Sequence, residues 1–191
     1  MEYTSGFWYL LNPYGFIGGI FSVLGCLLHG SVFLSLKTTG DLEKKVKSLS
    51  KMLWTAALIG ALLMFAASIF YVDYVERLGF GLVVPVLAFD ALVLARIFIQ
   101  QEKFGWAFAM TAATIALGMV THFLTIFPDV MISTTNPDFS LTIYRAASSP
   151  YTLEVISIVA AVFVPVMLIY QVWSYRAFRK RVTADPQKLE Y

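Results

Sequence analysis

The sequence predicts an all-α membrane protein: a polytopic transmembrane helix bundle of five spans, its N-terminus outside and its C-terminus cytoplasmic. Three observations predict it. Hydrophobic residues make up 59% of the 191 and charged residues only 14%, where soluble domains carry roughly 45–50% and 25%. Five apolar runs reach the ~20 residues a helix needs to cross a hydrocarbon core. Lysine and arginine crowd onto one side of the frame those runs define, and that asymmetry orients membrane proteins.

The runs are Tyr14–Leu36, Met52–Tyr71, Phe80–Ile99, Gly105–Phe127 and Tyr151–Trp173. The third is the weakest, since it contains Pro85, Asp90 and Arg96. The first is too long for the apolar core of a signal peptide and has no basic flank before it. Lys37, Lys44, Lys45, Lys47, Lys51, Arg96, Lys103, Arg176, Arg179, Lys180, Arg181 and Lys188 lie on one side, Arg77 and Arg145 on the other. That side is assigned to the cytoplasm, with residues 174–191 as its basic tail. The whole chain, 1–191, reads as a single membrane domain. Residues 128–150 form an outer strap of more than twenty residues without a glycine, and structureless loops of that length are uncommon. Its end is a helix start: Ser149 suits the N-cap and Pro150 the first helical position.

In lipid, small residues mark the faces on which helices meet. Gly15, Gly19, Ser22, Cys26 and Gly30 form one such stripe on the first helix. Ala56, Ala57, Gly60 and Ala61 form another on the second, and Thr111, Thr114, Gly118, Thr121 and Thr125 a third on the fourth, with His122 placed inside it. Ordinary bundle packing accounts for all three. A water-filled path along the threonines, joining Asp90, Thr114 and His122, is the sharper alternative for proton movement. Asp90 lies near the middle of its run, where a carboxylate costs several kcal/mol unless paired, protonated or hydrated. A hydrogen bond from the threonine stripe is the expected remedy. Arg96, one turn from the inner end, is expected to snorkel. His29 and His122 raise the question of haem ligation, but they fall at different depths and cannot grip one haem together. Glu154 reads as a helix-dipole contact.

A single cysteine excludes a disulfide framework. Phosphate-cradling, dinucleotide-binding, HExxH and CxxC motifs are all missing from the sequence. A net charge of +2 gives no reason to expect nucleic acid. The residues alone therefore leave two readings open, a polytopic subunit of a larger complex or a small secondary transporter using Asp90 and the Thr111–Thr125 stripe, with a non-catalytic assembly scaffold kept as a further alternative. A transporter often shows paired repeats, and none is visible.

The segment FPDVMISTTNPDFSLTIYRAASSPYTLEVISIVAAVFVPVMLIYQVW, from Phe127 to Trp173, resembles the C-terminal end of subunit II of cytochrome bd-type quinol oxidases. The resemblance rests on Phe127-Pro128, Val130-Met131, Ser140-Leu141-Thr142, Ala146 with Ser148, Ser149, Thr152 and Leu153, and Val164-Pro165. It extends to LLNPYGFIGG with Asn12-Pro13, to His29-Gly30, to KTTGDL from Lys37, and to Trp106–Phe108. It implies helices four to eight of the family's eight, so the family's N-terminal helices are expected partners outside this sequence. It further implies a respiratory complex in a bacterial or archaeal cytoplasmic membrane that oxidises quinol and reduces oxygen to water. By the same resemblance haems b and d belong to the partner, subunit I, and no cofactor or metal is expected on this chain. A small accessory membrane subunit and lipid complete the expected surroundings. No family role transfers to Asp90 or His122.

Overall fold

The computed structural model describes residues 12–71, 79–133 and 136–182. The expected outer connection with Arg77, the end of the tail beyond Val182, and Leu10-Leu11 lie outside the described residues. The chain divides into two compact units, Met1–Thr125 with Val182–Tyr191, and Ile126–Arg181.

The first unit is four helices: α1 (Pro13–Lys37), α2 (Asp41–Tyr71), α3 (Val83–Gln100) and α4 (Phe104–Ile126). A 3-10 turn, Gly79–Leu82, leads into α3. The second contains β1 (Asp129–Met131), a 3-10 turn (Pro137–Phe139), β2 (Leu141–Thr142), a single helical turn α5 (Ile143–Ala146) and the long α6 (Pro150–Ala177). The five long helices, α1 to α4 and α6, are each long and apolar enough to cross a membrane.

Local chemistry sets where these helices begin and end. Asn12 caps α1, its side-chain oxygen accepting from the Tyr14 amide at 3.0 Å, and Pro13 occupies the first helical position. Pro85 falls in the first turn of α3, where a missing N–H leaves no bond unmade. The weakest of the five runs is therefore a regular helix. α2 starts eleven residues before its apolar run. Asp41 and Glu43 stand in its first turn, favourable against the helix dipole, and Lys47 pairs with Glu43 at 3.0 Å one turn on. The α1–α2 turn needs Gly40, which has a φ of +75°. α3 ends in a Schellman pattern: the Lys103 amide donates to the Phe98 carbonyl at 2.9 Å and the Glu102 amide to Ile99 at 3.3 Å. Glu102 occupies the left-handed position, with a φ of 57°.

α1 and α2 pack closely through glycine. A methyl group at Gly60 would lie 3.2 Å from Phe21 Cδ2 and 3.4 Å from Leu24 Cδ1. The buried core of this unit joins all four helices: Leu28 and Val32 of α1, Ala57 of α2, Leu92 and Ile99 of α3, Phe104 and Ala107 of α4. Trp54 fastens α2 to α3 by donating from Nε1 to the Leu92 carbonyl at 2.7 Å. At the C-terminal end of α1 Val182 forms a parallel bridge to Thr38. Its amide donates to the Lys37 carbonyl at 2.7 Å, and its carbonyl accepts from the Thr39 amide at 3.2 Å.

The strap is not structureless, and it adds the chain's small β component. β1 and β2 pair antiparallel with an irregularity between Asp129 and Met131. The Ser140 hydroxyl, itself buried, accepts from the Ser133 amide at 3.1 Å, and Asn136 Oδ1 accepts from the Asp138 amide at 2.9 Å. α6 begins as its sequence predicts. Ser149 accepts from the Thr152 amide at 3.3 Å and Pro150 holds the first position. Pro165 lies inside the helix without ending it, as transmembrane helices tolerate.

Candidate functional site

The proposed path of Asp90, Thr114 and His122 is not assembled as one hydrogen-bonded set. Asp90 is exposed on α3 and forms no hydrogen bond or ion pair among the described residues. The expected bond from the threonine stripe does not form, because each hydroxyl turns back to its own helix. Thr114 donates to the Met110 carbonyl at 2.9 Å, Thr121 to Leu117 at 2.9 Å and Thr125 to Thr121 at 2.8 Å. Back-bonding of this kind is the local alternative always open to a helical threonine. His122 does not share the buried side of Thr121 and Thr125. It follows Thr121 by one residue, a rotation of about 100°, and is exposed with its ring edge-on to Phe123 at 6.1 Å.

A pairing that the sequence did not announce joins α1 to α4. His29 Nδ1 lies 2.8 Å from the Thr111 hydroxyl, and the imidazole stacks on Phe108 with centroids 4.4 Å apart. The Thr111 proton is given to the Phe108 carbonyl at 3.0 Å. The Thr111 oxygen therefore accepts from Nδ1–H, which fixes the neutral ring as the Nδ1-protonated tautomer. No sequence spacing links residues 82 positions apart; only the rotation of two helices brings them together.

These residues do not fit a haem gripped between two histidines of this chain. Counting helix rise from the end shared by Lys37 and Phe104, His29 and His122 differ in depth by ~15 Å. Among the described residues no group of three His, Cys, Asp or Glu side chains could hold a metal ion.

The small-residue stripes divide in their use. Ala57 and Gly60 of α2 are buried against α1. On α1 the α2-facing side runs through Gly18, Phe21 and Leu24. Gly15, Gly19, Ser22 and Cys26 are exposed, and a methyl group at Gly15, Gly19 or Gly30 would touch nothing within 4 Å. Gly118 on α4 is equally open. At these four glycines an added methyl group would meet none of the described residues.

Most of the motif residues singled out in the sequence sit at element ends. Asn12 and Pro13 start α1, Phe127-Pro128 follows α4, Ser140 pins the strap, Leu141-Thr142 is β2, and Ser149 caps α6. Ser148 is exposed, and nothing in the structure explains it.

Comparison with known proteins agrees along the chain. A sequence profile for the family described as cytochrome bd terminal oxidase subunit II matches residues 1–178. The chain is 35% identical over 175 residues to the cytochrome bd ubiquinol oxidase subunit 2 of Bacillus subtilis (strain 168), covering 91% of this chain and 52% of that protein. It is 29% identical over 215 residues to the cytochrome bd-I ubiquinol oxidase subunit 2 of Escherichia coli (strain K12), covering 97% of this chain and 57% of the relative. The chain thus spans about half the length of the curated relatives it matches. With five membrane-length helices and a profile match from end to end of them, the chain belongs to the cytochrome bd terminal oxidase subunit II family.

Proposed function

We propose that this chain is the part of subunit II that stands beside the haem-bearing subunit of a cytochrome bd-type quinol oxidase. The complex oxidises quinol and reduces oxygen to water in the cytoplasmic membrane. In this reading the chain supplies packing faces and no redox group. Haems b and d are held by the partner, and the lysine-rich end of the helices is cytoplasmic, with the strap 128–150 outside. Family membership supports the setting.

The observation that carries the partner assignment is Asp90. A carboxylate near the middle of an 18-residue membrane helix, exposed in this chain, costs about 3 kcal/mol against lipid on insertion scales. Protein or water over it would remove that cost, as it would for exposed His122. The open Gly15–Cys26 stripe on α1 has the composition of a helix–helix contact face.

Gly19→Leu tests the reading. Among the described residues nothing lies within 4 Å of a methyl group there, so the chain's own helices should be unaffected. The variant is expected to lose copurification with a haem-bearing subunit and the reduced-minus-oxidised haem spectrum of the complex. Unchanged haem assembly in Gly19→Leu membranes would refute the reading.

A further inference from the structure

The end of the bundle that gathers the lysines carries an arginine that meets no acid among the described residues. Around the α1–α2 and α3–α4 turns stand Lys37, Lys44, Lys45, Lys47, Lys51, Arg96 and Lys103, against only Asp41, Glu43 and Glu102. The acids are engaged elsewhere. Lys47 Nζ lies 3.0 Å from Glu43 and 2.9 Å from Glu102, and Lys44 lies 3.6 Å from Asp41. Arg96 lies four residues before the end of α3, about 6 Å along the axis, at the depth where headgroups begin. Its guanidinium rests 4.9 Å over the Trp54 ring, and Nη1 donates to the Lys51 carbonyl at 3.2 Å. Among the described residues it meets no carboxylate.

That guanidinium is held in place, and no described carboxylate neutralises it. Trp54 is itself fixed by its bond to Leu92, so the stacked group keeps one orientation. A guanidinium has five N–H donors, and a single one is spoken for. Deeper along the same faces the surface turns apolar. Val93 and Phe89 lie one and two turns below Arg96, and Ile59 and Leu62 follow Lys51 on α2, all four exposed. A fixed fork of donors at headgroup depth above an apolar track matches the chemistry of a lipid with an acidic headgroup. We propose that Arg96, with the charge of Lys51 beside it, binds the phosphate of an anionic phospholipid whose acyl chains lie along the α2–α3 faces. The lipid, and not free phosphate, is the occupant because exposed Val93, Phe89, Ile59 and Leu62 below the guanidinium offer acyl chains an apolar surface.

The test is native mass spectrometry of the full chain, extracted in mild detergent with whatever partner accompanies it and exchanged against phosphatidylglycerol or phosphatidylcholine vesicles. The parent should retain phosphatidylglycerol in preference to phosphatidylcholine. Arg96→Gln should weaken that retention roughly fivefold, and Arg96→Lys, which keeps the charge but not the fork, should fall between. Lys45→Gln, exposed and without an ion pair among the described residues, should match the parent. Equal retention by Arg96→Gln and the parent would overturn the proposal, as would equal loss in Lys45→Gln, which would indicate a diffuse field. Inorganic phosphate competing as well as phosphatidylglycerol would also overturn it. So would loss of a partner protein from Arg96→Gln with lipid retention unchanged, which would assign the guanidinium to a carboxylate of that partner.

Discussion

Gly60→Val separates the packing inside this chain from packing against anything else. The Cβ alone would stand 3.2 Å from Phe21 Cδ2 and 3.4 Å from Leu24 Cδ1, inside the roughly 3.5–4.0 Å at which carbon atoms rest against each other. Alanine is tolerable, since the half-buried Phe21 ring can yield a few tenths of an ångström and the helix gains up to about 1 kcal/mol in propensity. Valine adds two methyl groups a further bond length outward. Phe21 must then leave its rotamer or the helices must separate, an overpacking penalty of about 1–3 kcal/mol. Gly19→Val is the control on the same helix pair. Its Cβ meets nothing within 4 Å among the described residues, and the substitution should change the chain's own stability by less than about 0.5 kcal/mol. The assay is equilibrium unfolding of the full chain by SDS titration in mixed micelles, followed by tryptophan emission. Gly60→Val as stable as the parent, or Gly19→Val destabilised to the same extent, would refute the argument from the α1–α2 approach.

Trp54→Phe removes the bond to Leu92 and weakens the surface under Arg96; it should cost about 1–2 kcal/mol in the same unfolding assay. Thr111→Val deletes the acceptor for His29 Nδ1–H and should cost about 0.6 kcal/mol, a typical figure for a hydrogen bond between membrane helices. Nitrogen NMR should then show the imidazole losing its single tautomer, whereas Thr111→Ser should preserve it. Glu102, in the α3–α4 turn, has its carboxyl held below the ordinary value of 4.5 by the hydrogen bond from Lys47 and by the charges of Lys47 and Lys51. Its folded-state value is the lower one, so the pairing is fully present above 4.5 and is lost as pH falls through the folded value. Stability of the parent should therefore decline more steeply than that of Glu102→Gln on acidification below 4.5, and parallel curves would refute the pairing.

What the sequence made legible was whatever the bilayer fixes. A span needs a set apolar length, so all five runs became helices with ends within a few residues at most boundaries. The exception, α2, began at Asp41 because charged residues do not register as membrane-spanning. The acidic first turn and the Glu43–Lys47 spacing were the helix signal there. Ser149 and Pro150 were legible because capping chemistry is local. The strap's hairpin was not, since a pair of serines seven residues apart, Ser133 and Ser140, holds it. Helix rotation was hidden as well. Placing His122 with the threonines overlooked the 100° step from Thr121, and the His29–Thr111 pair needed the mutual turn of two helices that spacing in one chain does not encode.

Membrane surroundings also change what an exposed residue signifies. Exposed Val, Leu and Phe along α6 carry little information, because lipid tails are as apolar as leucine. An exposed carboxylate carries a great deal. Asp90→Leu exchanges a residue that costs about 3 kcal/mol at a helix centre for one that gains about 0.5, so insertion and unfolding resistance of the chain by itself should improve by roughly 3.5 kcal/mol. If Asp90 is met by another polypeptide or by water held at that interface, the same variant should assemble poorly with the haem-bearing subunit, and the two measurements should move in opposite directions. A variant that gains stability alone and assembles normally would show that Asp90 is covered by nothing in the complex. One that gains no stability would show that the carboxylate is already satisfied within this chain.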